Sequence, residues 1–116
     1  MNFQNYLEVV QQGKEDYIVV GSDGEYNSSK IDKLTKQGYK IHSFYIEDTD
    51  GTGFDYAFAS KQSTKLNKAK LTPLWKKLWP GEDIPVKTVI GYYIASSVKE
   101  FNSNLDKMEE DIDSSY

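Results

Sequence analysis

Four groups of residues in this chain have types and spacings that could do chemistry. Lys61, Lys65, Lys68, Lys70, Lys76 and Lys77 form a basic block with no acid between positions 56 and 81, and Trp75 and Trp79 stand beside it. Lysines that track a phosphate backbone, with rings that stack on bases, are the elements of a nucleic-acid site. Asp48-Thr-Asp-Gly-Thr-Gly-Phe-Asp55 gathers the carboxylates of Asp48, Asp50 and Asp55 on a glycine-rich turn, the donor type that hard cations require. Gly21-Ser-Asp-Gly24 falls between a strand pattern and a helix signal, where backbone N–H groups can cradle an anion. His42, the single histidine, is followed by Ser43.

Each group also has a plain structural reading, and each plain reading is the stronger one. The glycine loop matches neither Gly-x-Gly-x-x-Gly nor the Gly-Lys-Ser/Thr loop, and Asp23 and Glu25 would repel a phosphate; a turn is expected. Placing Gly51 on the obligatory glycine of the helix-loop-helix calcium motif puts Ile46 and Ala57 at the two essential ligand positions, so Asp48 to Asp55 reads as a hairpin loop. Alternation along a strand sends His42 and Ser43 to opposite faces, which disfavours a Ser/His pair. The tryptophans share a stripe with Leu74 and Leu78, so the lysines read as a solvated face. No enzymatic activity, metal or cofactor is expected.

Composition sets the outer limits. With 116 residues, 38% hydrophobic and 14% aromatic, the chain is long enough for one core. Cysteine is absent, which removes disulfides, thiolate metal sites and thiol nucleophiles. The start lacks the basic and then apolar run of a secretory signal, and no segment approaches a membrane span, so a cytoplasmic protein with no membrane partner is expected. All 14 cations are lysine. The forked guanidinium that suits guanine edges and bidentate carboxylates is missing throughout.

The elements that must position these groups follow from periodicity. Asn2 to Gln12 reads as a short helix ended by Gly13, and Tyr17-Ile-Val-Val20 as a buried strand over 16–22. Asn27 or Ser28 caps a helix with Ile31 and Leu34 on its apolar side and Gly38 at its end. Strands are expected over 39–47 and 53–60, the second with Phe54, Tyr56 and Phe58 on one face. Lys61, Lys65 and Lys68 would share a face if that stretch were helical. Thr72 and Pro73 open a helix carrying Leu71, Leu74, Trp75 and Leu78. A fourth strand over 85–95 puts Val86, Thr88, Ile90, Tyr92 and Ile94 on one face.

The last element is the clearest helix. Ser97-Val-Lys-Glu100 has capping-box spacing, and Val98, Phe101, Leu105, Met108 and Ile112 make an a/d stripe. That stripe either lies across the sheet or forms a seam for a second copy or another protein. Glu109, Glu110, Asp111 and Asp113 put negative charge at the negative end of the helix dipole, so the final turn is expected to fray. The same four acids, with Asp48, Asp50 and Asp55, could imitate a phosphate row and occupy the basic groove of a nucleic-acid enzyme, such as one in host defence.

The order of residues from Tyr17 to Ser60 resembles a family of small bacterial and prophage proteins that form a domain of unknown function. The shared positions are Tyr17, Val19, Val20, Leu34, Gly38, Tyr39, Phe54, Tyr56 and Phe58. Tyr39 stands where that family usually has Trp, and Thr35 stands where it has a first glycine. The resemblance implies a β-α-β-β layer and carries no catalytic residue.

The expected fold is α+β: one domain with a mainly antiparallel four-stranded sheet, helices on one face and a C-terminal amphipathic helix. Its parts are a β-α-β-β core (17–60), a basic segment with a short helix and fourth strand (61–95), and a C-terminal helix with an acidic tail (96–116). The expected function is non-catalytic binding of another protein or a second copy, with nucleic-acid binding and acidic mimicry as alternatives.

Overall fold

Alternating rings and small residues on one strand can be buried only if both faces of its sheet are covered, and the β-hairpin at the centre of this protein has that pattern. A computed structural model of the chain describes residues 9–12, 15–48, 53–78, 80 and 86–115. The strands are β1 (Val9–Gln12), β2 (Glu15–Ser22), β3 (Glu25–Tyr26), β4 (Lys40–Asp48), β5 (Gly53–Ser60) and β6 (Val86–Ala95). The helices are α1 (Ser28–Lys36), α2 (Lys68–Leu78) and α3 (Val98–Ser114). The sheet runs β1-β2-β5-β4-β6 with every pair antiparallel, and β3 folds back on β2.

The fold is thus α+β with an antiparallel sheet and a C-terminal helix. All four expected strands are present, and β1 and β3 are additional. The helix expected over Asn2 to Gln12 is corrected at its described end: Val9 to Gln12 pair with Ile18 to Glu15 as a strand, as the β-branched Val9-Val10 pair favours. Residues 2–8 of that expectation lie outside the described residues.

On β5, Tyr56 and Phe58 turn to one face while Ala57 and Ala59 turn to the other, and all four are buried. The ring face, with Tyr17, Phe44, Ile46 and Tyr92, is covered by Leu71, Leu74 and Leu78 of α2. The opposite face, with Ile18, Val20, Ile41 and the alanines, is covered by Ile31 and Leu34 of α1 and Phe101 of α3. The expectation of helices on one face is therefore corrected: α1 and α3 cover one face and α2 the other.

Local signals set most element ends. Asn27 accepts from the Lys30 N–H at 3.1 Å to cap α1. At its far end Gly38, at φ 93, lets Tyr39 N–H return to the Leu34 carbonyl at 3.0 Å. Ser97 caps α3 by accepting from Glu100 N–H at 3.1 Å, and the Glu100 carboxylate reaches back to Ser96 N–H at 2.6 Å. The β2–β3 turn carries positive φ at Asp23 and Gly24, as a two-residue hairpin turn requires, so Gly21 to Gly24 is a turn as expected.

Three further corrections have physical causes. Helix α2 starts at Lys68, capped by Asn67 through Lys70 N–H at 3.0 Å, so Pro73 lies inside it. Burial of Leu71 to 1% exposure, in register with Leu74 and Leu78, carries the helix across Thr72. Residues 61–67 are irregular, so Lys61, Lys65 and Lys68 do not share a helix face. Helix α3 continues to Ser114 through its acidic run, where Tyr93 Oη–H donates to Asp111 at 2.5 Å.

On β6 the single-face pattern fails at a bulge. Ser43 faces Tyr93 and Tyr45 faces Ile90, leaving an extra residue on β6 around Gly91, which has φ 62. Val89, Tyr92 and Ile94 therefore join the ring face, and Ile90 turns with Tyr45 to the other. A Cβ on Gly91 would come within 3.0 Å of Met108 Cα. Gly91→Ala should lower stability by about 2 kcal/mol through the left-handed backbone and the crowding of α3. Urea unfolding checks this; an unchanged midpoint would remove the glycine's role.

Candidate functional site

The residues with chemical potential fall into a buried polar hub, a rim of lysines and the outer side formed by β6 and α3. His42 lies on the ring face of β4 with no exposed surface, stacked on Phe58 at a centroid distance of 4.8 Å. Its Nε2 is 2.9 Å from the Gln62 carbonyl, which can only accept, so Nε2 carries the proton. Nδ1 then accepts from Tyr92 Oη–H at 2.7 Å, and the Tyr92 oxygen accepts from Leu66 N–H at 3.3 Å. Gln62 adds a side-chain bond to Tyr17 Oη at 3.2 Å and a backbone bond to Ser60 Oγ at 3.1 Å.

This hub straps residues 61–67 across the sheet. Burial holds the His42 imidazole well below its ordinary range, at about 4, although the bond to the Gln62 carbonyl opposes the shift. Burial likewise pushes the Tyr92 hydroxyl up. Ser43 turns to the opposite face, paired in register with Ala57, so His42 and Ser43 do not meet. Among the described residues the partners of His42 are a tyrosine and a backbone carbonyl, and no carboxylate bonds to it.

The lysine block divides. Lys61 and Lys65 leave the strap on either side, Lys61 Nζ lying 5.0 Å from the Tyr39 ring centre and Lys65 Nζ 5.6 Å from that of Tyr93. Lys70, Lys76 and Lys77 are exposed on α2. The side chains of Lys68 and Trp75, and all of Trp79, lie outside the described part. Lys107 of α3 also stands over Tyr93, at 5.8 Å, and Asp111 accepts from its hydroxyl. That hydrogen bond is the first cause, ahead of burial and the nearby acids, of the upward shift of the Tyr93 hydroxyl. Basic block and acidic tail thus meet on one ring.

The acids divide as well. Asp55 accepts from Gly24 N–H at 3.1 Å and from the Tyr26 hydroxyl, so its carboxylate clips the β2–β3 turn. Burial first, then this bond and charge, pushes the Tyr26 hydroxyl up. Asp50 lies outside the described residues, as does the Asp48 side chain. Glu109, Glu110 and Asp113 remain exposed on α3. Among the described residues no group of three or more His, Cys, Asp or Glu side chains could hold a metal ion. An open depression of about 640 Å³ lined by Val20, Gly24, Glu25, Tyr26, Asn27 and Ser28 lies at the start of α1, with Glu25 exposed beside it.

The α3 stripe packs mostly on its own sheet. Phe101 and Met108 are 1% and 3% exposed, while Val98, Leu105 and Ile112 are half-buried. Phe101 and Met108 are therefore closed to a partner, which narrows the seam expected from the sequence. Asn104 was missed: it is buried between them, and its Nδ2 and the Oγ of buried Ser43 have no hydrogen-bond partner among the described residues. The signal for it was its position three residues from Phe101 and four from Met108.

What sequence reasoning also missed is the sheet edge. Strand β6 pairs with β4 on one side and ends the strand order, so a ten-residue strand has an outer side with no partner among the described residues. Its sequence, VKTVIGYYIA, holds one charge and no proline. Comparisons with family models, curated proteins and solved structures give no match for this chain.

Two predictions follow from the buried polar groups. Because folding favours neutral His42, its contribution is complete above pH 6.5 and is lost as pH falls toward about 4, about 3 kcal/mol over that window. The single imidazole should remain largely unprotonated at pH 5 in the folded chain, as read from its NMR chemical shifts; ordinary titration near 6.5 would contradict the hub. Asn104→Leu should raise stability by about 1 kcal/mol by removing a buried amide nitrogen that has no partner among the described residues, measured by urea unfolding.

Proposed function

We propose that this chain is a small non-catalytic binding protein of the cytoplasm that engages another protein through the side formed by β6 and α3. The observation that carries the reading is the outer side of β6, unpartnered among the described residues, ten residues with a single lysine and no proline. Unpaired N–H and C=O groups in such a row form a template for another strand, and isolated proteins commonly guard it with charges or proline. Supporting it, His42 and Asp55 are engaged in holding the strap and the turn. No described helix is long and apolar enough to cross a membrane. Origin in a phage or mobile element rests on the resemblance over Tyr17 to Ser60.

The nucleic-acid reading has one observation in its favour, the two lysines of the strap that stand over the half-buried rings of Tyr39 and Tyr93. Salt separates the two readings, because phosphate contacts release counterions and strand pairing does not. Immobilised protein should retain a protein partner from a lysate at both low and high salt, with and without nuclease. Ile90→Lys, a half-buried position on the open strand, should abolish retention while leaving the circular dichroism unchanged. Retention that disappears on nuclease treatment and in Lys61→Glu, Lys65→Glu would replace this reading with nucleic-acid binding.

A further inference from the structure

The three helices are not held to the sheet equally well. Helix α2 turns Leu71, Leu74 and Leu78 into the ring layer from eleven residues, and α1 turns Ile31 and Leu34 into the opposite layer from nine. Helix α3 has 17 residues, yet Phe101 and Met108 are the only large apolar side chains it buries fully. Asn104 takes the place between them, and the sheet meets it with a second polar group. Phe101 packs in the layer that holds Ile41 and its register partner Ala95, while Met108 covers Gly91, next to the Tyr45 and Ile90 pair. Ser43, midway between Ile41 and Tyr45 and turned to that layer with its neighbour Ala57, therefore lies at the level of Asn104. Ser43 Oγ and Asn104 Nδ2 are both buried with no hydrogen-bond partner among the described residues. The centre of this interface holds two desolvated polar groups with no bond between them, a cost that is relieved when water reaches both.

The remaining ties of α3 are few and lie at the margins. Val98, Leu105 and Ile112 stay half-buried. Tyr93 Oη–H donates to Asp111, Lys107 stands over the same ring, and the Tyr26 ring meets Phe101 edge-on at 5.1 Å. The capping box closes within residues 96–100, so release of the helix breaks no cap. Strand β6 keeps its ladder with β4, and α1 keeps Ile31 and Leu34 on the sheet. We infer that α3 is a lid, which leaves the sheet as one unit about the exposed Ser96 and Ser97 while the strands, α1 and α2 stay folded, and uncovers the layer around Ser43, Ala57 and Ala95. Such a lid is a property of the fold beyond the protein-binding reading and holds whatever β6 pairs with.

Amide hydrogen exchange of the full chain over a series of low urea concentrations tests this. Amides of residues 105–108 should open at least about ten-fold more often than those of β4, with a smaller urea dependence, as a sub-global opening requires. Little protection survives in the undocked helix, because short helices draw most of their stability from packing. Ile46→Val, in the ring layer and on the face away from α3, should speed β4 exchange about five-fold and leave α3 unchanged. Asn104→Leu should slow α3 exchange about five-fold, which is about 1 kcal/mol. Equal opening and equal urea dependence in α3 and β4, or α3 exchange that accelerates in Ile46→Val, would mean that the helix leaves only with global unfolding, and would overturn the lid. Exchange that rises steadily toward Ser114, with Leu105 as protected as β4, would be fraying of the last turn and would overturn it too. An α3 rate unchanged in Asn104→Leu would remove the polar layer as its cause.

Discussion

Everything in this fold depends on burying two unlike faces of one hairpin. Strands β4 and β5 hold Phe44, Ile46, Tyr56 and Phe58 on one side and Ile41, Ser43, Ala57 and Ala59 on the other, all nearly inaccessible. Rings demand a thick apolar cover, which α2 and the strap provide; alanine and serine permit close approach, which α1 and α3 use. The sheet could not be left open on either side without exposing one of these sets to water.

That double burial explains why the histidine has become structural. A strap that crosses the ring face brings backbone N–H and C=O groups into a dry layer, where each must find a partner. His42 and Tyr92 supply complementary donors and acceptors at that place, with Tyr17 and Ser60 satisfying Gln62. An imidazole with both nitrogens engaged and no exposed surface does the work of a clamp. The opposite layer is less complete, since Ser43 and Asn104 bring polar atoms under α3 with no partner among the described residues.

Burial of the hairpin on both faces also determines which parts of the sheet stay uncovered. Faces that are covered leave edges, and the six-stranded order ends in β6. Charge gathers around that edge because α3, the strap and Tyr93 converge there, bringing Lys65, Lys107 and Asp111 to one ring from distant parts of the chain. The lysine block and acidic tail are separate features in the sequence and neighbours in space.

The strands at Tyr17, Tyr39, Phe54 and Val86, the helix from Ser97 and the turns at Gly24 and Gly38 were legible in the residues, because caps, glycine turns and alternation act over a few positions. The opposite faces of His42 and Ser43 were legible for the same reason. The second covered face was not: alanine at 57, 59 and 95 is too small to announce burial, and only the arrival of α1 and α3 decides it. Nor could period-two reading place Ile90 apart from Tyr92, since a bulge at Gly91 is known only from the register with β4. Sequence alone determined the elements and their apolar sides through short-range rules. Tertiary structure decided which faces closed, which lysines met which acids and which strand stayed at the edge, because those depend on groups far apart in the chain being brought together.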